Sequence, residues 1–158
     1  MKEYFAFQWH ITEECDQRCK HCYIFSEDNF KKTDSMSWKQ MQETFYNCLD
    51  FCEVYDRQPY FYITGEDYDI PFTILGNPFY LNDEVCKRLK EYGCRKYQLS
   101  LDGLRETHDW FRKPGSFGST LEKIDCIKRA GIRSVIMTTV SGTNRKEIPD
   151  LIDTVVER

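Results

Sequence analysis

Three cysteines fall within eight residues of this chain, in the run Cys15-Asp16-Gln17-Arg18-Cys19-Lys20-His21-Cys22. Thiolates are soft ligands that select zinc or iron–sulfur clusters, so this run is the first place to look for chemistry. A closed zinc site wants four ligands, and His21 or His10 could complete a Cys₃His set. Structural zinc sites, however, usually draw paired C-x₂₋₄-C units from two segments, and the sequence offers no second such pair in a loop. A four-iron cluster held by three cysteines leaves one iron open to an external ligand. That open position would make the site catalytic. Both readings stand at this point, and the spacing favours the cluster.

The other five cysteines, Cys48, Cys52, Cys86, Cys94 and Cys126, are dispersed. Cys48 and Cys52 share a helical apolar stripe with Phe45 and Leu49, where free cysteine acts as a small hydrophobe. His10 reads as a packed side chain within a strand. His21 points away from the cysteines, and His108 beside Asp109 suits a helix start better than a catalytic dyad.

The cysteine run needs a scaffold, and the pattern supplies one. Tyr4–Thr12 is aromatic and β-branched, which reads as a strand delivering the cysteine loop from its carboxyl end. Ser37 and Gln40 form a capping box for a helix over Trp38–Val54. Tyr60–Thr64 and Phe72–Leu75 are the next strands. Asn82 caps a helix that Gly93 ends. Lys96–Leu101 is strand four, a helix starts at Ser119 or Thr120 and stops at Gly131, and Ser134–Val140 is strand five. A last helix carries Pro149 in its first turn. Strands alternating with helices mean right-handed β/α units around parallel strands, with ligands at the carboxyl ends. Thr64-Gly65-Glu66, Gly76-Asn77, Ser100–Gly103 and Ser141–Asn144 all fall at such ends, beside the cysteine loop.

Composition limits what this scaffold could serve. At 158 residues, one domain is expected. Hydrophobic residues at 41% and aromatics at 15% suffice for a core, and a net charge of −4 gives no basic field for a nucleic acid. No apolar run is long enough for a membrane span, and Met1-Lys2-Glu3 does not open a signal peptide. A cytoplasmic protein with reduced thiols is expected.

The run CDQRCKHCY resembles the cysteine signature of radical S-adenosylmethionine (SAM) enzymes. TGE after strand two, SLDG at strand four followed by HDWFR, and GSFGSTLEKI resemble the peptide- and protein-modifying branch that carries a SPASM extension. FAFQWHITEECDQRCKHCYIF is most similar to maturases of ribosomally made peptides. The resemblance implies an α/β fold, a partial and incomplete (β/α)₆ TIM-type barrel, with residues 1–158 as the SAM-binding core and the SPASM-like extension absent. It implies a [4Fe–4S] cluster on Cys15, Cys19 and Cys22, whose open iron binds SAM. Reductive cleavage of SAM would then yield a 5′-deoxyadenosyl radical that abstracts hydrogen from a peptide, with thioether or similar cross-linking as the outcome. By the same resemblance Tyr23 lies near the adenine, and Thr64, Gly65 and Glu66 meet the methionine amine. Asn77 joins the cofactor pocket. Ser100 and Asp102 stand near the ribose and methionine, Thr139 and Val140 form an adenine wall, and Arg112 pairs with the methionine carboxylate. The implied partners are a peptide substrate and an electron donor such as a flavodoxin or ferredoxin. No residue is assigned as a general base, since the cofactor performs the difficult step. The alternatives are a sulfatase-maturase-like enzyme and a non-catalytic zinc module.

One place departs from the family pattern. Between Gly65 and Ile70 only four residues intervene, reaching about 14 Å against a return of roughly 17 Å along an ordinary strand. A parallel crossover usually needs a dozen residues or more. Either strands two and three form an antiparallel hairpin, or residues are missing between Gly65 and Asp67. The flanking resemblance favours the second, which leaves the role carried onto Glu66 open.

Overall fold

The computed structural model describes residues 2–10, 12, 15–22, 35–62 and 72–156. Five strands, β1 (Tyr4–Gln8), β2 (Gln58–Tyr62), β3 (Phe72–Leu75), β4 (Cys94–Ser100) and β5 (Arg133–Met137), lie in chain order in one sheet. Every neighbouring pair is parallel. The helices are α1 (Trp38–Val54), α2 (Asp83–Glu91), α3 (Arg105–Phe111), α4 (Ser116–Arg129) and α5 (Ile148–Val156). The result is the expected α/β partial barrel of parallel strands.

One sheet face is buried under the helices. Phe61, Phe72, Tyr97, Leu99 and Leu101 point into a core completed by Phe45 of α1, Cys86 of α2 and Leu121, Ile124 and Ile127 of α4. Cys52, Cys86, Cys94 and Cys126 are buried, and Cys48 packs against the core, as small hydrophobes do. Burial raises the pKa of each of these thiols, which keeps them protonated.

Several boundaries differ from expectation for identifiable reasons. β1 ends at Gln8 rather than Thr12, which instead forms an isolated antiparallel bridge with Ser35. His10 is accordingly exposed rather than packed within the strand. β2 begins at Gln58 and includes Pro59. The Gln58 N–H donates to the Glu3 carbonyl on the β1 side. Pro59 thus turns its missing donor toward β3, which begins only opposite Phe61. α4 starts at Ser116 rather than Ser119 or Thr120, behind Gly115 in the left-handed region at φ 82°. β5 spans Arg133–Met137 rather than Ser134–Val140, and α3 begins at Arg105, so His108 and Asp109 lie inside it rather than at a helix start. β2 and β3 pair parallel, which rules out the antiparallel hairpin. The Gly65–Asp67 link lies outside the described residues.

Candidate functional site: a three-thiol loop tied to the strand ends

The cysteine loop follows β1 and is fastened to the other strand ends by side chains. Within the loop, the Arg18 guanidinium donates to the Cys15 carbonyl at 2.6 Å and the Cys22 N–H donates to the Cys19 carbonyl at 3.0 Å. The Lys20 N–H donates to the Phe111 carbonyl at 2.9 Å, while its ammonium sits 3.3 Å from the Trp110 ring centre. From the end of β3, Asn77 donates to the Cys15 thiol at 3.6 Å and to the Asp16 carboxylate. Lys113 pairs with Asp16 on the same side. Partial burial works to raise the Asp16 pKa, but hydrogen bonds from Lys113 and Asn77 outweigh it and hold the carboxyl below its usual range.

Arg112 connects the loop to β4. Its Nε donates to Asp102 Oδ2 at 2.6 Å, and its Nη1 donates to Gln17 Oε1 at 3.3 Å and to the Cys19 thiol at 3.4 Å. Gln17 is buried and also accepts from the Cys19 thiol. Burial pushes the Cys19 thiol up, Arg112 pulls it down, and the neighbouring Cys22 and Cys15 push it up again. Cys15 and Cys22 thus both lie close enough to Cys19 to act on it electrostatically.

Asp102 is 1% exposed and spends both oxygens on the protein. Oδ1 accepts from the Thr139 N–H at 3.0 Å, Oδ2 accepts from Arg112, and His21 Nε2 stands 3.8 Å away. Beneath it, fully buried His108 accepts the Asp102 N–H on Nδ1 at 3.0 Å, so its proton sits on Nε2, which has no partner. Burial and then Arg112 push the His108 pKa down to about 4. Asn144, also fully buried, donates to the carbonyls of Asp102 and Thr139 and accepts from Ser141. The ends of β4 and β5 are thereby locked together.

The structure thus joins Cys15, Asn77, Cys19, Arg112, Asp102 and Thr139 in one connected site. Ser100 is half-buried at the end of β4, and Val140 is largely exposed. Arg112, expected to meet a ligand carboxylate, has its contacts here to Asp102, Gln17 and Cys19. Asp102 is likewise engaged with the backbone and Arg112 rather than open. Tyr23, Thr64, Gly65 and Glu66 lie outside the described residues. The sequence reading did not single out Gln17, Lys113, Asn144 or the role of His108. Gln17 stands between Cys15 and Cys19 in the run, and its amide oxygen takes hydrogen bonds from Cys19 and Arg112. A small pocket of about 110 Å³ opens beside the loop between Gln17, Asn77, Phe79 and Lys113. Among the described residues no three His, Cys, Asp or Glu side chains converge as the ligands of a single metal ion do.

A parallel β/α barrel segment with a three-thiol loop after its first strand is the frame of an enzyme that carries its chemistry at the strand ends. The family model described as the Radical SAM superfamily matches residues 44–155, and the chain belongs to that superfamily. Its members work with a [4Fe–4S] cluster and SAM. Fe-coproporphyrin III synthase of Methanosarcina barkeri is 26% identical over 166 residues, covering 94% of this chain and 40% of that protein. The sporulation killing factor maturation protein SkfB of Bacillus subtilis is 27% identical over 81 residues, covering 51% of this chain and 20% of its own length. Native anSMEcpe with bound AdoMet shares the fold, with a TM-score of 0.74 at 15% identity over 96% of this chain and 48% of that one. The chain spans less than half the length of the curated relatives it matches. Among the described residues no helix is long and apolar enough to cross a membrane.

Proposed function

We propose that Cys15, Cys19 and Cys22 hold the [4Fe–4S] cluster, that SAM binds across the strand ends, and that the enzyme abstracts hydrogen from a peptide. Cross-linking of a ribosomally made peptide, as a thioether or a similar bond, is the reaction this reading specifies. Residues 1–158 are then the SAM-binding core, and a SPASM-type extension and a flavodoxin- or ferredoxin-like electron donor complete the system. The observation that carries the reading is the three-thiol loop, with Arg112 beside Cys19 and anchored on Asp102. The donor set fits the cofactor: soft thiolates at this spacing suit iron–sulfur ligation, and a guanidinium stands ready to offset their negative charge. Bound there, the cluster and SAM supply the radical that makes an unactivated C–H bond reactive. Asp102, Arg112 and Gln17 hold the loop at a fixed distance from β4, and Asn77 fixes its other side. Asn144 keeps the β4 and β5 ends in register, so a ligand laid across them meets a rigid rim.

A second reading, a tetrapyrrole substrate, is favoured by one observation: the relative that covers 94% of this chain is a coproporphyrin enzyme, whereas SkfB covers 51%. The opening run FAFQWHITEECDQRCKHCYIF supports the peptide. Anaerobic reconstitution followed by iron, sulfide and zinc analysis tests the centre. About four irons per chain are expected, with loss of the cluster on changing any one of the three cysteines to Ala. Stoichiometric zinc without iron sinks the proposal. Addition of SAM should alter the electron paramagnetic resonance spectrum of the reduced cluster.

A further inference from the structure

The sheet has two faces of opposite character. Phe61, Phe72, Tyr97 and Leu99 line the one covered by helices. On the other, Tyr60 shares a 2.6 Å hydrogen bond with Thr73, Thr73 is the register partner of Lys96, and Lys96 is the register partner of Arg133. Register partners on neighbouring strands project to the same side, so two cations stand next to each other on the open face. Lys96 is half-buried and Arg133 exposed. Like charges directly opposite one another destabilise a sheet. Other cations of this chain meet carboxylates: Arg57 with Glu3, Arg129 with Asp83, Lys113 with Asp16 and Lys2 with Asp56. Neither Lys96 nor Arg133 meets an acidic side chain among the described residues. A local cost with no compensating acidic contact among the described residues marks a functional position.

Their depth gives the pair a use. Lys96 and Arg133 each precede the last residue of their strand, Ser100 and Met137, by four positions. At about 3.3 Å per residue that is about 13 Å below the rim where the cysteine loop lies. Residues this far down a barrel ordinarily serve packing, which two charges with no acidic partner among the described residues do not.

We infer that Lys96 and Arg133 form a ledge for a carboxylate of the substrate, and that its occupant is an acidic residue of the peptide. The inference rests on the peptide reading above. It sets a distance: an extended peptide covers about 13 Å in about four residues, so the acidic side chain sits about four positions from the residue that is modified. The ledge would thus select where along a precursor the reaction falls.

The test uses the cluster-loaded, SAM-bound enzyme and a fluorescein-labelled 18-residue peptide with one Cys and a Glu four positions to either side, beside a matched peptide carrying Gln. Anisotropy should show the Glu peptide bound about tenfold more tightly than the Gln peptide, with the preference falling as salt rises. The K96Q/R133Q double variant should lose the preference by weakening only the Glu peptide, and K96R should keep it. Without any peptide, K96Q should raise the melting temperature by relieving the repulsion. Equal affinities in the unaltered enzyme, a preference that survives the double change, or a lower melting temperature for K96Q each overturn the ledge while leaving the peptide reading intact. Failure of both peptides alongside saturable binding of coproporphyrin III overturns the peptide reading and this occupant together.

Discussion

Arg112 carries the most consequence of any single side chain outside the cysteines. It is the counter-charge of Asp102, which is 1% exposed, and it also reaches Gln17 and Cys19. Removing one partner of a buried ion pair leaves an uncompensated charge and typically costs about 3–5 kcal/mol. Arg112→Gln should therefore lower stability to urea by about that amount, and adding Asp102→Asn should recover part of it; a change within about 0.5 kcal/mol contradicts the assignment. His108 makes a separate prediction in pH. Its folded pKa of about 4 lies below its ordinary value of 6.5, so the unfolded chain binds a proton that the folded chain refuses. Stability is thus complete above pH 6.5, falls as pH drops from there, and stops falling from this cause below about 4. The full loss is about 3 kcal/mol at about 1.4 kcal/mol per pH unit. Unfolding curves between pH 7 and 4.5 should show the slope, and His108→Gln should flatten it. The groups acting on His108 are Arg112, Asp102, Asp109 and His21, so the variant is best compared at constant salt. The three cysteines stand out in the sequence by type and spacing, whereas Asp102 is singled out only through the resemblance carried by SLDG. The sequence could not show that Asp102 and Arg112 would satisfy each other, since that depends on how α3 returns its last turn to the end of β4.

At the scale of elements, what was legible depended on how local the deciding interaction is. The bounds of α1 follow from Ser37 and Gln40, three residues apart, which form a full capping box. Asn82 likewise caps α2 through the Val85 N–H. The start of α4 escaped because its cap is not adjacent. The Asp109 carboxylate, from within α3, accepts from the Gly115 N–H at 2.8 Å, the Phe117 N–H at 2.7 Å and the Ser116 hydroxyl at 3.2 Å. Partial burial works to raise the Asp109 pKa, but the Phe117 and Gly115 hydrogen bonds outweigh it and hold the carboxylate ionised at the positive end of the helix. A search for Ser or Thr next to the helix stops at Ser119, whose N–H already donates to the Gly115 carbonyl. Asp109→Ala should cost about 1–2 kcal/mol, with Asp109→Asn between it and the unaltered chain. Chemical denaturation measures both, and an Asn variant as weak as Ala would mean that the charge, rather than the acceptor oxygens, does the capping.

For the whole molecule, the place to test is the connection between β2 and β3. Among the described residues, five register pairs join β1 to β2, four join β3 to β4 and five join β4 to β5, and Phe61 with Phe72 is the described pair between β2 and β3. The expected difficulty was a return along a full strand. The structure starts β3 beside Phe61, near the carboxyl end of β2, so the connection does not have to retrace the whole of that strand. Residues 63–71 are all that link two parallel strands, where a dozen or more are usual. The reading that residues are missing between Gly65 and Asp67 makes a sharp prediction from this. Inserting about a dozen residues of high helix propensity between Gly65 and Glu66 should restore a crossover of the usual length and relieve strain on the start of β3. Backbone amides of β3 should then gain hydrogen-exchange protection, and the melting temperature should rise. The loop-closure cost of the longer link is small, roughly 0.6 kcal/mol per doubling of length, so it should not mask the gain. If the insertion lowers the melting temperature and leaves β3 amides exchanging as before, the short link is native to this fold.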